Sequence, residues 1–471
     1  MDIGVVAQEV EAVLDRLACR VATFAESEVT ARGRSLVQAA IADTLGVGLA
    51  GAATDPVRIL ASSLGAKAPG CSLLLGTEER INALDAGMLN GVAAHALDFD
   101  DGNSLMAGHP STMLVPAVLA LGEELGCPAS KVLAGYVAGY EVIVRLSRGI
   151  NMHHYEKGWH PTATIGVFGV AAAAARMLDL DPARTATALG IACSMASGVK
   201  ANFGTMVKSL HIGHGIRDGL LCAKLAAGGF TSNARAFEAP QGFLSNFNGA
   251  GNFDIDAILD GLDNKLEVNR ETNKIKLFAC CASTHAAIDA ALALRAAHAI
   301  ETQHIDRVTL VLHPRRIPHT DRPHLQEALS GKFSQQYLIA RSLIDGAVTL
   351  RHFEGDAHLD STVLALMRRV EVHPAPDGLL PHAFAAHIKI WLKDGRLLDG
   401  PGDRRNAGVT GEEQLESPAF WSKFKDCARQ ALSEEKIDAV MDAIRRIDEF
   451  DDIRKFTALL ASAPASAGSL A

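Results

Sequence analysis

The stretch from His95 to Ser111, HALDFDDGNSLMAGHPS, sets three carboxylates, Asp98, Asp100 and Asp101, between two histidines, His95 and His109. Runs of small apolar residues flank it on both sides. Charged groups beside an apolar interior are costly unless they are paired or put to use. Three acids this close fit a divalent-cation cluster or acid–base work. Asp and Asn are also ordinary helix caps, and Gly102-Asn103 is ordinary turn chemistry.

Four further constellations carry reactive types. In Gly158-Trp159-His160-Pro161-Thr162, His160 precedes a helix start, where backbone N–H groups favour an anion. Between Gly204 and His211, Lys208 and His211 are three residues apart and share a helix face. That pair suggests a carboxylate pocket; a solvated lysine and a core histidine is the plainer alternative. Asn273 to His285 holds Lys276 and the vicinal Cys280 and Cys281, which read as small buried hydrophobes rather than redox groups. Lys332 to Tyr337, KFSQQY, opens a helix, and Tyr337 is either a proton donor or a core tyrosine. The sequence has no Rossmann glycine fingerprint, P-loop or GxSxG elbow. If these sites converge, the chemistry is general acid–base work on an anionic substrate, with lysines and histidines neutralising its carboxylates.

The elements that must position them are mostly helices. Apolar residues at helical spacing predict helices over 8–52, 81–96, 111–125, 129–148, 161–179, 182–198 and 205–228. Thr54-Asp55-Pro56, Cys127-Pro128 and Asp181-Pro182 are helix starts. CSLLLG at 71–76 reads as a short extended piece, and 230–270 as loop-rich. Then the period changes. Residues 306–313, 369–373 and 386–393 alternate as strands, and Asp394-Gly395 turns a hairpin into 396–398, with a helix near 333–345. The fold class is therefore mainly α. An all-helical domain from both chain ends (1–270 and 401–460) holds an inserted α+β unit at 271–400, and 461–471 reads as a disordered tail.

The bulk numbers bound the partners. The chain has 471 residues, 48% hydrophobic and 21% charged, with a net charge of -9. Without a dense Lys/Arg run, nucleic acid and anionic membranes are poor partners. The 8 cysteines form no CxxC pair, so a zinc or iron–sulfur framework is not indicated. The acidic, amphipathic N-terminus does not fit a signal peptide, and the most apolar run, 162–175, is too short for a membrane span. The expectation is a reduced, cytoplasmic protein.

Taken together, ALDFDD with GHPS at 96–111, GWHPTATIG at 158–166, GTMVKSLHIG at 204–213, GGF at 228–230, KLFACCASTH at 276–285 and KFSQQY at 332–337 resemble the MmgE/PrpD family. Its members include 2-methylcitrate dehydratase, cis-aconitate decarboxylase and iminodisuccinate epimerase. The resemblance implies a large helical domain, a smaller α+β lid and a homodimer, with no metal or organic cofactor. It implies a site of Asp98, His109, His160, Lys208, Lys276 and Tyr337, with catalytic roles for Asp98, His160, Lys208 and Tyr337 and substrate contacts from His109 and Lys276; His211 and Cys281 are further candidate substrate contacts. The substrate would be a small di- or tricarboxylate that exchanges a proton alpha to a carboxylate. Dehydration, decarboxylation and epimerisation remain open, beside two alternatives: a metal enzyme built on Asp98, Asp100 and Asp101, and a non-catalytic polycarboxylate binder. Gly102 stands where decarboxylase-like members have Thr, and one extra residue separates DFDD from GHPS.

Overall fold

The computed structural model describes residues 12–65, 68–270, 273–402 and 413–462. The expected start of the first helix before residue 12, and the expected tail from 463 onward, lie outside the described residues.

The helices arise where the apolar spacing puts them. Val13–Thr23 buries Leu14, Leu17 and Val21. Ala31–Gly51 starts where the Thr30 hydroxyl accepts from Gly33 N, and Ala83–Ala96 where the Asn82 carbonyl accepts from Asp85 N. Pro110–Leu125, Ala129–Ile150, Gly166–Met177, Pro182–Met195 and Val207–Ala227 complete the helical body. Asp181 caps the fourth of these, accepting from Arg184 N, with Pro182 in its first turn. Small residues let these helices close on one another. A Cβ on Gly139 would come within 2.6 Å of Gly169 O on the neighbouring helix.

The helix expected over 161–179 is divided into Pro161–Thr164 and Gly166–Met177. The Thr164 hydroxyl donates back to His160 O at 3.1 Å and also meets His154 Nε2 at 2.7 Å. A threonine bonding its own preceding turn competes with the regular helix. The stretch read as loop-rich holds two short helices, Phe243–Asn248 and Ile255–Leu259. The extended piece is β1, Pro69–Leu73, paired antiparallel with β2, Arg80–Ile81.

The α+β region carries a four-stranded sheet in the order β4-β3-β5-β6. These are β3 (Ile305–Leu312), β4 (Val370–Pro374), β5 (Ala386–Leu392) and β6 (Leu397–Gly402). β3 pairs parallel with β4 and antiparallel with β5, setting Leu310 opposite Ile388 and Val308 opposite Ile390. Alternate residues of β5 are buried, as a strand with one packed face requires. Helices His285–His298 and Gln335–Asp345 cover that face. Among the described residues the two larger hydrophobic cores lie one among the helices and one on the sheet, with a third, smaller cluster around Val57, Leu74 and Leu89. The sheet core also takes in Val47, Ala50, Phe99 and Cys427 from the helical side, so the two cores meet beside Asp98.

No single described helix is long and apolar enough to cross a membrane.

Candidate active site

The helix Ala83–Ala96 runs out into the loop Leu97–Phe99, and three consecutive carbonyls there are held by three lysines. Lys332 donates to Leu97 O, Lys276 to Asp98 O at 2.8 Å and Lys423 to Phe99 O at 2.7 Å. The clasp supports a left-handed backbone at Asp98 (φ +51°), a conformation that costs most L-residues energy and that Asp tolerates better. Asp98 Oδ1 then accepts from Lys208 Nζ at 2.6 Å and Lys276 Nζ at 3.0 Å. Burial alone would push this carboxyl up. The two ammonium groups overcome that and hold it well below the ordinary carboxylate range.

The next two aspartates face elsewhere. Asp100 Oδ2 lies 2.8 Å from His95 Nδ1 and 3.3 Å from His109 Nδ1. Burial opposes its ionisation, but the two imidazoles outweigh burial and lower it. Asp101 takes the Ser111 hydroxyl and Asn273 Nδ2 (2.6 Å), and Tyr136 backs Ser111 at 2.8 Å. Burial, with help from Asp43 and Asp100, pushes Asp101 up to about 7. The three carboxylates therefore do not converge on one ion, contrary to the reading of them as a metal cluster. The ligand atoms that do gather, within 4.8 Å of one another, belong to His95, Asp100 and His109. Of these three residues, His95 Nδ1 and His109 Nδ1 already face Asp100 Oδ2.

His109 sits at the start of Pro110–Leu125, and its Nδ1 lies 2.6 Å from Asp101 O. A carbonyl only accepts, so Nδ1 carries the proton and Nε2 keeps a bare lone pair. His160 is fixed by an aromatic cluster. Trp159 Nε1 donates to Phe247 O at 2.9 Å, and His160 N to Gly198 O at 3.0 Å. His109, His95, His160 and His211 form a file with ring centroids 4.8, 5.9 and 5.4 Å apart. Burial holds all four neutral, and nearby positive charge adds to it at His160 and His211. His109 is lowered to about 3 and His211 to about 4.

These groups open onto a cavity of about 230 Å³ between the helical body and the α+β region. Asp98, His109, His160, Lys208, Lys276 and Cys281 line it, so six of the residues expected to act together are brought together. His211 is not on the wall; it stands behind His160, Nδ1 to Nδ1 at 3.2 Å. Tyr337 is absent from the wall as well. Ser334 Oγ caps Tyr337 N at 3.1 Å, and the turn aims the ring into the sheet core. There its hydroxyl donates to His352 O and accepts from Arg341 Nε at 3.2 Å. From the same motif Phe333 reaches the wall, while Lys332 clasps Leu97 O. Sequence reasoning gave no role to Lys423, Asn273, Arg316 or His319. Lys423 lies in an ordinary amphipathic helix and carries no local signal.

Among the lining residues, Lys208, Lys274, Lys276, Arg315 and Arg316 are cationic and Asp98 is the one carboxylate. A protein of net charge -9 thus concentrates positive charge in its main cavity. Gly102 is also on the wall, and a Cβ there would meet only Gly108 O at 3.8 Å. The backbone does not require glycine at this position; the missing side chain leaves room in the cavity.

A mainly helical chain with an α+β unit facing a cationic, histidine-walled cavity defines a protein equipped for acid–base chemistry on small anions. The MmgE/PrpD N-terminal domain model matches residues 7–256 and the C-terminal domain model residues 278–448. The chain belongs to the MmgE/PrpD family. It is 28% identical to the cis-aconitate decarboxylase of Homo sapiens, over 89% of this chain and 88% of that one. The Mus musculus cis-aconitate decarboxylase is also 28% identical, and that of Aspergillus terreus is 27% identical over 83% of this chain and 84% of its own.

Proposed function

We propose that this chain is a lyase that acts on a small di- or tricarboxylic acid by moving a proton at the carbon alpha to a carboxylate, with no metal or organic cofactor. The observation that carries the reading is the cavity itself: five cations and one carboxylate on its wall, with two neutral imidazoles beside them. Lys208 and Lys276 bind substrate carboxylates and the negative charge that develops next to them; a well-placed donor of this kind contributes about 3–4 kcal/mol. His109 and His160 are the bases, each with Nδ1 engaged and Nε2 left to exchange the proton. Asp98 orients the two lysines. The α+β unit, residues 271–400, acts as the lid. The family resemblance supports a homodimer.

The carbanion then loses CO2, loses water or is reprotonated. The names of the relatives favour loss of CO2 from an aconitate-like acid. Proton NMR in deuterated water, with citrate-like, aconitate-like and aminated succinate-like acids, tests the reading. Deuterium entry at the alpha carbon, or release of CO2, in the presence of a chelator is the expected result. Binding without exchange or turnover would leave a polycarboxylate-binding protein, and loss of turnover on chelation would move the chemistry to a metal at His95, Asp100 and His109.

A further inference from the structure

Cys280 and Cys281 are adjacent in sequence and opposite in setting. Cys280 is fully buried, its Sγ 3.2 Å from Thr284 Oγ1, and burial pushes its thiol up to about 12. Cys281 is half-buried and on the cavity wall. Its backbone is pinned, with N donating to Lys332 O at 3.0 Å and its carbonyl accepting from the Thr284 hydroxyl at 2.7 Å. It precedes the turn Ala282–Thr284, which leads into the helix His285–His298. His319 lines the same wall, held by Ser283 Oγ at 3.1 Å two residues along from Cys281. Arg316 and Lys276 share the same wall. Burial and Asp98 oppose ionisation of Cys281, but His319 and Lys276 outweigh them and bring the thiol down to about 7. The acid–base chemistry proposed above makes no use of this group.

We propose that Cys281 and His319 form a reactive thiolate site that adds to unsaturated carboxylic acids gathered by the cavity's cations. The carboxylate class rests on the function proposed above. In the reaction, His319 takes the thiol proton and Cys281 Sγ forms a bond to the carbon beta to a carboxylate. The π pair moves to the alpha carbon, where it receives the proton from His319. The net change is addition of S–H across C=C, with no oxidant or reductant. An enzyme handling unsaturated acids would thereby limit its own working life.

The test sets neutral iodoacetamide against anionic iodoacetate on the whole protein, read residue by residue by peptide mass spectrometry. The exposed Cys19 and Cys71 serve as internal controls. An ordinary thiolate prefers the neutral reagent, because like charges repel. Cys281 is expected to prefer iodoacetate and, from its larger thiolate fraction at pH 7, to react about tenfold faster than the controls. His319→Gln should bring Cys281 back to the behaviour of Cys19. Maleate should leave an adduct of its own mass on Cys281, whereas succinate should only slow labelling. The proposal is overturned if Cys281 labels no faster than the controls, if His319→Gln changes nothing, or if maleate leaves no adduct where iodoacetate labels. Labelling is independent of turnover. A labelled Cys281 in a protein that turns over no acid in the panel would sink the proposed function and leave the thiolate site standing, and the reverse outcome would do the opposite.

Discussion

The cavity wall supplied by residues 98–208 holds His109 and His160, imidazoles that burial keeps neutral. The wall supplied by residues 274–333 holds Lys274, Lys276, Arg315, Arg316 and the Cys281–His319 pair. The first offers lone pairs, and the second offers positive charge. Lys208 is the exception on the first wall, and Asp98 ties it to Lys276 from the second. Proton transfer and charge neutralisation make opposite demands on local potential, since a base is spoiled by protonation and an anion site needs cations. Putting them on different units lets each be tuned alone. The price is a junction that must hold two lysines and one carboxylate together.

The junction is the place to break this division. Asp98→Asn leaves two buried ammonium groups without their counter-charge. Removing one partner of a buried ion cluster costs about 3–5 kcal/mol. We expect kcat/KM to fall by about a thousandfold or more, with a clear loss of thermal stability measured by calorimetry. Lys276→Met should behave alike, because Lys276 also holds Asp98 O.

Next in size is the base wall. His109→Gln should lower kcat by about a hundredfold to a thousandfold and leave the fold intact. Deuterium exchange in the NMR assay should fall with it. If kcat stays near wild type while KM alone rises, His109 binds substrate and does not move the proton.

The pH profile tests the same wall more finely. A base works only unprotonated, and His109 is held at about 3. Once substrate ionisation is allowed for, kcat/KM should stay flat as pH falls from 7 to 5. A midpoint near 6.5, the value of a free histidine, would refute a buried neutral base. Stability carries the matching sign. The folded pKa is depressed, so the unfolded chain binds more protons below about 6.5. Relative to His109→Gln, the wild-type protein should lose about 1.4 kcal/mol per pH unit as pH falls through that window.

The smallest effect is expected at Tyr337, which belongs to neither wall. Tyr337→Phe removes a buried hydroxyl from His352 O and Arg341, a loss of about 1–2 kcal/mol. Turnover should stay within about threefold of wild type, as for a structural substitution away from the site. A hundredfold loss of kcat would restore Tyr337 to the chemistry.

Much of this was legible in the residues. Helical period, the change to alternation near 306, and the acid-and-histidine islands each reflect local rules, and they gave the elements and six wall residues. Tyr337 lies off the wall because helix phase, set by the Ser334 cap, decides which member of KFSQQY meets the cavity, and that member is Phe333. Lys332 and Tyr337 are five residues apart, and neither type announces its direction. The metal-cluster alternative groups Asp100 and Asp101 with Asp98, because sequence proximity does not reveal that successive loop residues point to different partners. Lys423 was invisible because its partners, Asp43 and Phe99 O, come from distant parts of the chain. Cys281 differs from Cys280 by facing the cavity and by the groups that meet it there, of which His319 is far from it in sequence.

The lysine clasp on Leu97, Asp98 and Phe99 also bears on when the pocket exists. Its three contacts span 235, 178 and 324 residues of chain. Contacts this remote form late, after the loops between them have closed. The helix Ala83–Ala96 can fold early on its neighbours, but the geometry at Asp98 has to wait for Lys423. A nascent chain therefore carries its histidines and acids long before it has a working site, and any cut that frees the Lys423 helix should silence the cavity while most of the helical body remains folded.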